Sequence, residues 1–260
     1  MDKEIFEKVS PIIHEYWKDF RDKMNDESIK NYIVNPSMPI IWFGDIEAYF
    51  ASQERRVITI SINPSSDEFK EKNSENYSFC RFPNIEKIYN TEELNDDDKK
   101  ILYKTLNNYF EDNPYKRWFN HYDNSEILGA LNCSYQRGFP NRAIHIDLQS
   151  AIATFPKWNE LHKIDKDLQE RISNCDLAKS LIDILEPDII LYSAKKNALK
   201  EALKIDIDFP KNYEKPKNTI LLAEYEYKNK PLIYGFNHST PFAHVKREKV
   251  TEFFKKCNIL

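Results

Sequence analysis

The sequence predicts an α/β protein, a three-layer α/β/α sandwich whose central, mostly parallel β-sheet is covered by helices on both faces. Runs of strand length at residues 57–62, 143–148 and 188–193 are apolar along most of their length. Segments with helical spacing of apolar residues alternate with these runs. Such strands are typical of parallel sheets buried on both faces, and their alternation with helices is typical of βαβ units.

The N-terminal part of the chain is predicted to be helical. Apolar side chains recur every three or four residues from Ile5 to Phe20, which indicates an amphipathic helix over residues 2–25. Pro11 is expected to divide or kink this helix, because proline cannot donate the helical hydrogen bond. A short helix near residues 45–52 precedes the first strand.

The rest of the chain continues the alternation of helices and strands. A long polar connection over residues 66–97 separates the first strand from the next helices. The remaining predicted elements are helices at 98–112 and 115–132, the strand at 143–148, a helix at 166–186 ended by Pro187, the strand at 188–193, a helix at 194–203, strands at 219–222 and 231–236, and a basic helix at 243–257. No repeat or linker divides the chain. We therefore expect one domain over residues 1–260, with residues 1–38 as an N-terminal helical extension packed on it.

The composition is that of a water-soluble protein. The chain has 260 residues, of which 41% are hydrophobic and 31% charged. No apolar run approaches the roughly 20 residues that a membrane span needs, and the N-terminus lacks an apolar signal core. We expect a cytoplasmic protein with no membrane partner. The net charge of -4 is unusual for a nucleic-acid binder, but a local basic face near the C-terminus can still bind phosphates.

Neither a metal nor a cofactor is expected. The four cysteines form no CxxC pair, and none has a histidine at metal-ligand spacing, so they are interpreted as isolated reduced thiols. The chain has only four glycines and contains neither GxGxxG nor GxxxxGK[ST]. The usual dinucleotide-binding and NTP-binding classes are therefore excluded.

Three polar segments lie at the ends of predicted strands. They are Asn63-Pro64-Ser65-Ser66, Asp147-Leu148-Gln149-Ser150 and Asn237-His238-Ser239-Thr240-Pro241. In open α/β sheets, ligands bind beyond the carboxyl ends of the strands. We therefore expect the side chains of Asn63, Asp147 and His238 to converge in one cavity.

These segments resemble the motifs of the uracil-DNA glycosylase superfamily. Its mismatch-specific branch has G-I-N-P-G after a central strand, where this chain has Ser61-Ile62-Asn63-Pro64-Ser65, with Ser65 in place of the usual glycine. The second family motif, near the C-terminus, is built around H-P-S, and His238-Ser239-Thr240-Pro241 is a near match. Between the two motifs a strand end presents a base-reading side chain. Order, spacing and strand context agree over roughly residues 40–250.

The resemblance implies a DNA glycosylase that flips a base into a pocket and hydrolyses its glycosidic bond. Asn63 would position the attacking water, and His238 would donate a hydrogen bond to the pyrimidine O2, where negative charge develops. Asp67 and Glu68 are candidates for a carboxylate base. The alternatives are that Asn63 only turns the chain, that His238 is tied to the backbone, and that the two carboxylates are charges at a helix N-terminus.

Asp147 predicts the type of base. The family commonly has asparagine at the corresponding strand end, but an ionised aspartate only accepts hydrogen bonds. It suits the exocyclic amine of cytosine and repels the O4 of uracil, which points to cytosine or a derivative. Because the leaving base is anionic, either Asp147 or N3 of the base would have to be protonated. The alternative is that Asp147 ends the strand and caps the next segment.

Further residues are predicted to contact the flipped base or the surrounding DNA. Phe79 and Phe82 are candidates for stacking on the base, with core packing as the equal alternative. His145, which shares a strand face with Asp147, and Ser65 are additional base-binding candidates. Phe242 could wedge into the vacated base stack. The residues expected to contact DNA beside Phe242 are Ser239, Thr240, Lys246 and Arg247, with a solvated helix face as the alternative for the two charges.

The predicted function is that of a monofunctional DNA glycosylase, since no lysine lies within the three motifs to form a Schiff base. Its substrate would be DNA carrying a modified cytosine, the activity would serve in defence against phages, and no obligate protein partner is evident. One alternative is a nucleic-acid-binding module of the same fold without catalytic activity, favoured by Ser65 and the acidic pI of about 5.9. The other is a nucleotide-directed hydrolase, although no metal triad, nucleophile elbow or phosphate loop supports it.

Overall fold

The computed structural model describes residues 1–112, 119, 126–215, 219–236, 241–242 and 245–260. Within these residues the protein is an α/β protein with a seven-stranded mixed sheet. The strands are β1 (Val57–Ser61), β2 (Cys133–Ser134), β3 (Asn141–Asp147), β4 (Ile189–Tyr192), β5 (Asn212–Glu214), β6 (Leu222–Tyr227) and β7 (Lys230–Gly235). The predicted α/β class and the mostly parallel sheet are confirmed.

The strand order is β2-β3-β1-β4-β7-β6-β5. The pairs β2–β3, β1–β4 and β4–β7 are parallel, while β6 is antiparallel to both β7 and β5. From β1 the chain goes to β2 and β3 on one side and then to β4 on the other. The carboxyl ends of β1 and β4 are therefore at a topological switch point, the place where open α/β sheets bind ligands.

The first helix has nearly the bounds that the sequence predicted, residues 2–25, and it is continuous. The helices of the described residues are α1 (Lys3–Asn25), α2 (Ile46–Phe50), α3 (Asp96–Asn107), α4 (Tyr109–Asp112), α5 (Trp158–Ile164), α6 (Leu168–Ile172), α7 (Cys175–Leu185), α8 (Lys196–Leu203) and α9 (Arg247–Lys256). Asp2 caps α1 by accepting hydrogen bonds from the amides of Glu4 and Ile5. Pro11 lies inside α1 and does not divide it. Burial of the apolar face offsets the hydrogen bond that proline cannot make.

The helix predicted over residues 166–186 is two helices, α6 and α7. Between them, the hydroxyl of Ser173 donates to the carbonyl of Gln149 at 2.8 Å, and Asn174 Oδ1 accepts from the amide of Ala151 at 3.0 Å. Two polar side chains at the break thus bind the backbone of the loop that follows β3. This tertiary contact, which helical periodicity does not reveal, ends α6.

One predicted strand is misplaced. Of the predicted run at residues 219–222, only Leu222 belongs to β6, which continues to Tyr227 through Glu224 and Glu226. Glu224 is buried, and its carboxylate accepts a hydrogen bond from Asn212 Nδ2 at 2.6 Å. The two glutamates interrupt the apolar pattern, so hydrophobicity alone did not reveal this strand. The buried carboxylate is tolerated because a residue on β5 donates a hydrogen bond to it.

The chain divides into two compact units, each made of several segments. The first unit comprises Met1–Glu47, Ile62–Pro114 and Ile146–Ile184, and the second comprises Ala48–Ser61, Tyr115–His145 and Leu185–Leu260. The predicted extension at residues 1–38 therefore belongs to the first unit. The second unit contains β1, β4 and β7. In the described part of the chain, no helix has the length and apolar character needed to cross a membrane.

Candidate functional site

Two of the predicted site segments are hydrogen-bonded to each other within the first unit. The amides of Gln149 and Ser150, just after β3, both donate to the carbonyl of Ile62, at 2.9 and 3.2 Å. Ile62 immediately precedes Asn63. The segments that carry Asn63 and Asp147 thus share backbone hydrogen bonds, as their predicted convergence requires.

The side chain of Asn63 has a defined orientation. Its Nδ2 donates to Thr154 Oγ1 at 3.3 Å, to the carbonyl of Ile152 at 3.4 Å and to the carbonyl of Pro64 at 3.1 Å. All three partners are acceptors, so the amide nitrogen is on their side and Oδ1 is directed away from them. Among the described residues, no group donates to Oδ1. The side chain therefore retains one unused acceptor.

Asp147 ends β3 and is only 4% exposed. Its charge acts on the buried phenol of Tyr16 in α1: burial, followed by the charges of Asp19, Cys175 and Asp147, raises the pKa of Tyr16 well above its ordinary value. The two amides that follow Leu148 donate to the carbonyl of Ile62. Asp147 lies buried at the end of β3, at the predicted position.

The two candidate carboxylate bases lie in different environments. Ser65 is exposed and caps the 3-10 turn Ser66–Glu68 through a hydrogen bond from the amide of Asp67 to its Oγ at 3.2 Å. Asp67 is exposed, whereas Glu68 is 2% exposed. Glu68 accepts a hydrogen bond from Tyr109 at 2.7 Å, and Arg81 Nη1 lies 3.9 Å from its second oxygen. Glu68 thus anchors the turn from inside, and Asp67 is the carboxylate that solvent reaches.

Phe79 and Phe82 belong to a buried aromatic cluster of the first unit. Phe79 packs edge-on against Tyr89 with ring centroids 5.0 Å apart, and Phe82 lies 6.3 Å from Tyr109 in a stacked arrangement. The exposed fractions of the two phenylalanines are 4% and 2%. This corrects the prediction that they stack on a base. Neighbouring aromatic side chains already cover both rings, so they belong to the core, which was the alternative.

His145 lies in a buried polar network of the second unit. Its Nδ1 is 2.7 Å from Thr59 Oγ1, and its Nε2 is 3.1 Å from Ser61 Oγ. The Thr59 hydroxyl is also 2.6 Å from the hydroxyl of Tyr135, and the ring of Phe119 packs edge-on against the imidazole. Both ring nitrogens are thus held by hydroxyl groups. The sequence singled out His145 as a base contact but missed Thr59 and Ser61, which the position of β1 beside β3 brings to it, and Tyr135, which follows β2 and bonds to Thr59.

Phe242 is not positioned to enter DNA. Its ring is 2% exposed, its amide donates to Ser193 Oγ at 2.9 Å, and the Ser193 hydroxyl donates to the carbonyl of Gly235 at 3.1 Å. The prediction of a wedge is therefore wrong, because the ring is packed inside the second unit. Lys246 and Arg247 are exposed at the start of α9, with Arg247 3.4 Å from a carboxylate oxygen of Glu126.

The remaining predictions fall on residues that the structure does not describe. His238, Ser239 and Thr240 lie outside the described residues. Their roles as leaving-group donor and DNA contacts stay predictions, as does the convergence of His238 with the other two side chains. Within the described residues, no cluster of three or more histidine, cysteine, aspartate or glutamate side chains is arranged to hold a metal ion.

Comparison with known proteins returned no relative. No protein-family model matches the chain, and searches of curated proteins and of solved structures found no similar protein. A functional assignment therefore depends on the residues themselves.

Proposed function

We propose that the protein is a monofunctional DNA glycosylase that hydrolyses the N-glycosidic bond of a flipped cytosine derivative, on a three-layer fold of the uracil-DNA glycosylase type. The observation that carries the proposal is the orientation of Asn63. Its amide nitrogen is held by Ile152 and Thr154, which leaves Oδ1 as an acceptor. An acceptor held in this way can orient a water molecule for attack without taking part in another contact.

The chemistry of an amide limits the rate of such an enzyme. Asn63 orients water but cannot remove its proton, so the attacking group remains neutral water unless a carboxylate assists. Asp67, exposed on the turn that follows Asn63, is the candidate for this assistance. We therefore expect slow turnover, and a further decrease when Asp67 is replaced by asparagine.

Asp147 supports cytosine as the parent base. An ionised carboxylate accepts hydrogen bonds, and the exocyclic amine of cytosine can donate one whereas uracil O4 cannot. The segments carrying Asp147 and Asn63 are joined through the carbonyl of Ile62. A base that pairs with Asp147 would therefore be held by a segment bonded to the one that carries the water-positioning side chain.

The test is a screen for base release. Single-stranded and duplex oligonucleotides containing uracil, cytosine, 5-methylcytosine, 5-hydroxymethylcytosine or its glucosylated form are incubated with the protein, and abasic sites are revealed by alkaline cleavage. We expect release from at least one cytosine derivative and a decrease of about 100-fold in Asn63→Ala. Asn90→Ala, a change at an exposed asparagine of the same unit, is the matched control. Absence of abasic sites on every substrate would refute the proposal.

A second candidate function is suggested by the pair Ser61 and His145. Ser61 Oγ lies 3.1 Å from His145 Nε2, and Thr59 binds the other ring nitrogen, an arrangement compatible with a serine nucleophile and its base. Such a site would make the protein a nucleotide-directed hydrolase. A fluorophosphonate probe distinguishes the two functions: labelling of Ser61 that is lost in His145→Ala would favour the hydrolase, and base release that persists in Ser61→Ala would favour the glycosylase.

A further inference from the structure

A cleft of about 460 Å³ opens in the first unit, in the size range of small-ligand sites. Its lining includes Phe155, Tyr77, and Lys30, Asn31 and Asn35 from the segment after α1. Phe155 is 61% exposed, a large fraction for an aromatic side chain. The cleft thus combines an exposed aromatic ring with amide groups and a single cation.

The backbone that carries Phe155 is fixed. Thr154 forms an antiparallel bridge with Ile33, and the amide of Phe155 donates to the carbonyl of Tyr32 at 3.0 Å. The amide of Val34 in turn donates to the carbonyl of Ala153 at 3.0 Å. Because both walls are tied together by backbone hydrogen bonds, the ring is presented on a rigid support.

The polar groups of the cleft are available to a ligand. Asn35 Oδ1 accepts a hydrogen bond from the hydroxyl of Tyr89, which orients the amide and leaves its Nδ2 as a donor. Lys30 is paired with Glu27, whose side chain is 83% exposed. Surface pairs of this kind contribute about 0–1 kcal/mol, so an anionic ligand can compete for the lysine.

We propose that this cleft binds an unpaired nucleotide of single-stranded DNA, with its base stacked on Phe155 and its phosphate on Lys30. Aromatic stacking accepts any base, and a nearby cation neutralises the backbone, which is the combination used by proteins that bind single strands. The amides of Asn31 and Asn35 supply hydrogen-bonding groups for the base edge. The inference deepens the proposed function and rests on it for the choice of DNA as the ligand.

The cleft is linked to the proposed water-positioning residue. Thr154, whose hydroxyl accepts from Asn63 Nδ2 at 3.3 Å, immediately precedes Phe155 and forms the bridge to Ile33. One short loop therefore supports both Asn63 and the aromatic wall of the cleft. A nucleotide bound there would belong to the strand beside the target base.

The test is equilibrium binding of a fluorescein-labelled single-stranded oligonucleotide without modified bases, followed by anisotropy. We expect Phe155→Ala to weaken binding about 10-fold, and Phe155→Trp to restore it with quenching of the new tryptophan by the stacked base. Lys30→Gln should weaken binding and lower its dependence on salt. The matched controls are Phe209→Ala, which removes a ring that is 81% exposed, and Lys3→Gln, which removes a lysine paired with Glu7 on the surface of α1.

Binding is measured without base excision, so the result tests the cleft separately from the proposed glycosylase activity. Binding that depends on Phe155 and Lys30 supports the cleft even when no base is released. Undetectable binding, or equal weakening by Phe209→Ala and Phe155→Ala, overturns the cleft as a nucleotide site whether or not the protein excises bases.

Discussion

The ring of Phe242 covers the backbone of Gly235 so closely that a Cβ atom at Gly235 would lie 1.9 Å from Phe242 Cδ1. Gly235 is the last residue of β7, and Phe242 is buried. Ser193, which follows β4, bonds to both residues, accepting from the amide of Phe242 and donating to the carbonyl of Gly235. The two ends of the segment that contains His238 are thus held at the carboxyl ends of β4 and β7.

Gly235→Ala should therefore destabilise the protein. The added methyl group overlaps a ring that is 2% exposed, and overpacking of this kind costs about 1–3 kcal/mol. Urea unfolding followed by circular dichroism measures the change. Gly129→Ala is the control, because a Cβ there meets nothing within 4 Å. Equal stability of the two variants would show that the ring of Phe242 is not fixed over Gly235.

The strands that the sequence predicted correctly are those with a continuous apolar pattern. Residues 57–62, 143–148, 188–193 and 231–236 correspond to β1, β3, β4 and β7, because strands buried along most of their length carry an apolar signal in nearly every residue. The two-residue β2 and the three-residue β5 were missed, since such short strands contain too few residues for a pattern. Their positions depend on pairing with neighbours.

Part of the candidate site could also be predicted from the apolar pattern of the strands. Asn63 and Asp147 follow strongly apolar strands, so their places at the strand ends followed from the pattern. Whether Phe79 and Phe82 stack on a ligand or pack in the core depends on contacts with distant aromatic residues, which spacing does not encode. The cleft beside Phe155 was missed because its walls come from three separate parts of the chain.

Tyr109→Phe should destabilise the protein through Glu68. The phenol donates a hydrogen bond of 2.7 Å to a carboxylate that is only 2% exposed, and leaving a buried charged group without such a donor costs about 1–3 kcal/mol. Urea unfolding is the measurement, with Tyr213→Phe, at a tyrosine that is 51% exposed, as the control. In a Glu68→Gln background the effect of Tyr109→Phe should be smaller; an unchanged effect would argue against a specific contact.

Thr154→Val should lower base release through its effect on Asn63. The substitution removes one of the acceptors that hold Asn63 Nδ2, so the amide samples orientations that do not place Oδ1 on the water. We expect a decrease of about 10-fold in the single-turnover rate, with substrate affinity little changed. Thr154→Ser keeps the hydroxyl and should retain the rate. Equal loss in both variants would contradict a specific role of this hydrogen bond, because Thr154→Ser retains the hydroxyl that forms it.

The cysteines should differ in reactivity. Cys80 is exposed, whereas Cys257 is buried, and burial, together with the charge and hydrogen bond of Glu224, raises the pKa of Cys257 to about 12. At pH 8 only about one Cys257 thiol in ten thousand is then ionised, and the thiolate is the reactive form. Iodoacetamide labelling followed by peptide mass spectrometry should modify Cys80 first. Labelling of Cys257 at a similar rate would contradict its burial.

Lys196 should lose its proton at a lower pH than other lysines. Its Nζ donates to the carbonyl of Ile207 at 3.0 Å and lies 5.4 Å and 5.7 Å from the ring centroids of Tyr225 and Tyr234. Burial lowers the pKa of Lys196 from its ordinary value of 10.5, and the charge of Asp208 offsets this only in part. Between the folded and unfolded pKa values the unfolded chain binds more protons, so this group makes stability rise with pH in the window just below 10.5.

Reductive ¹³C-methylation and NMR titration test this directly. One dimethyl-lysine resonance, absent from Lys196→Arg, should titrate below the others in the same spectrum. In urea unfolding at several pH values up to 10.5, Lys196→Met should show a smaller rise of stability with pH than the unsubstituted protein, since the titrating group is gone. Titration of all lysine resonances together, with parallel stability curves for the two proteins, would mean that the amine of Lys196 is as well hydrated as a surface lysine.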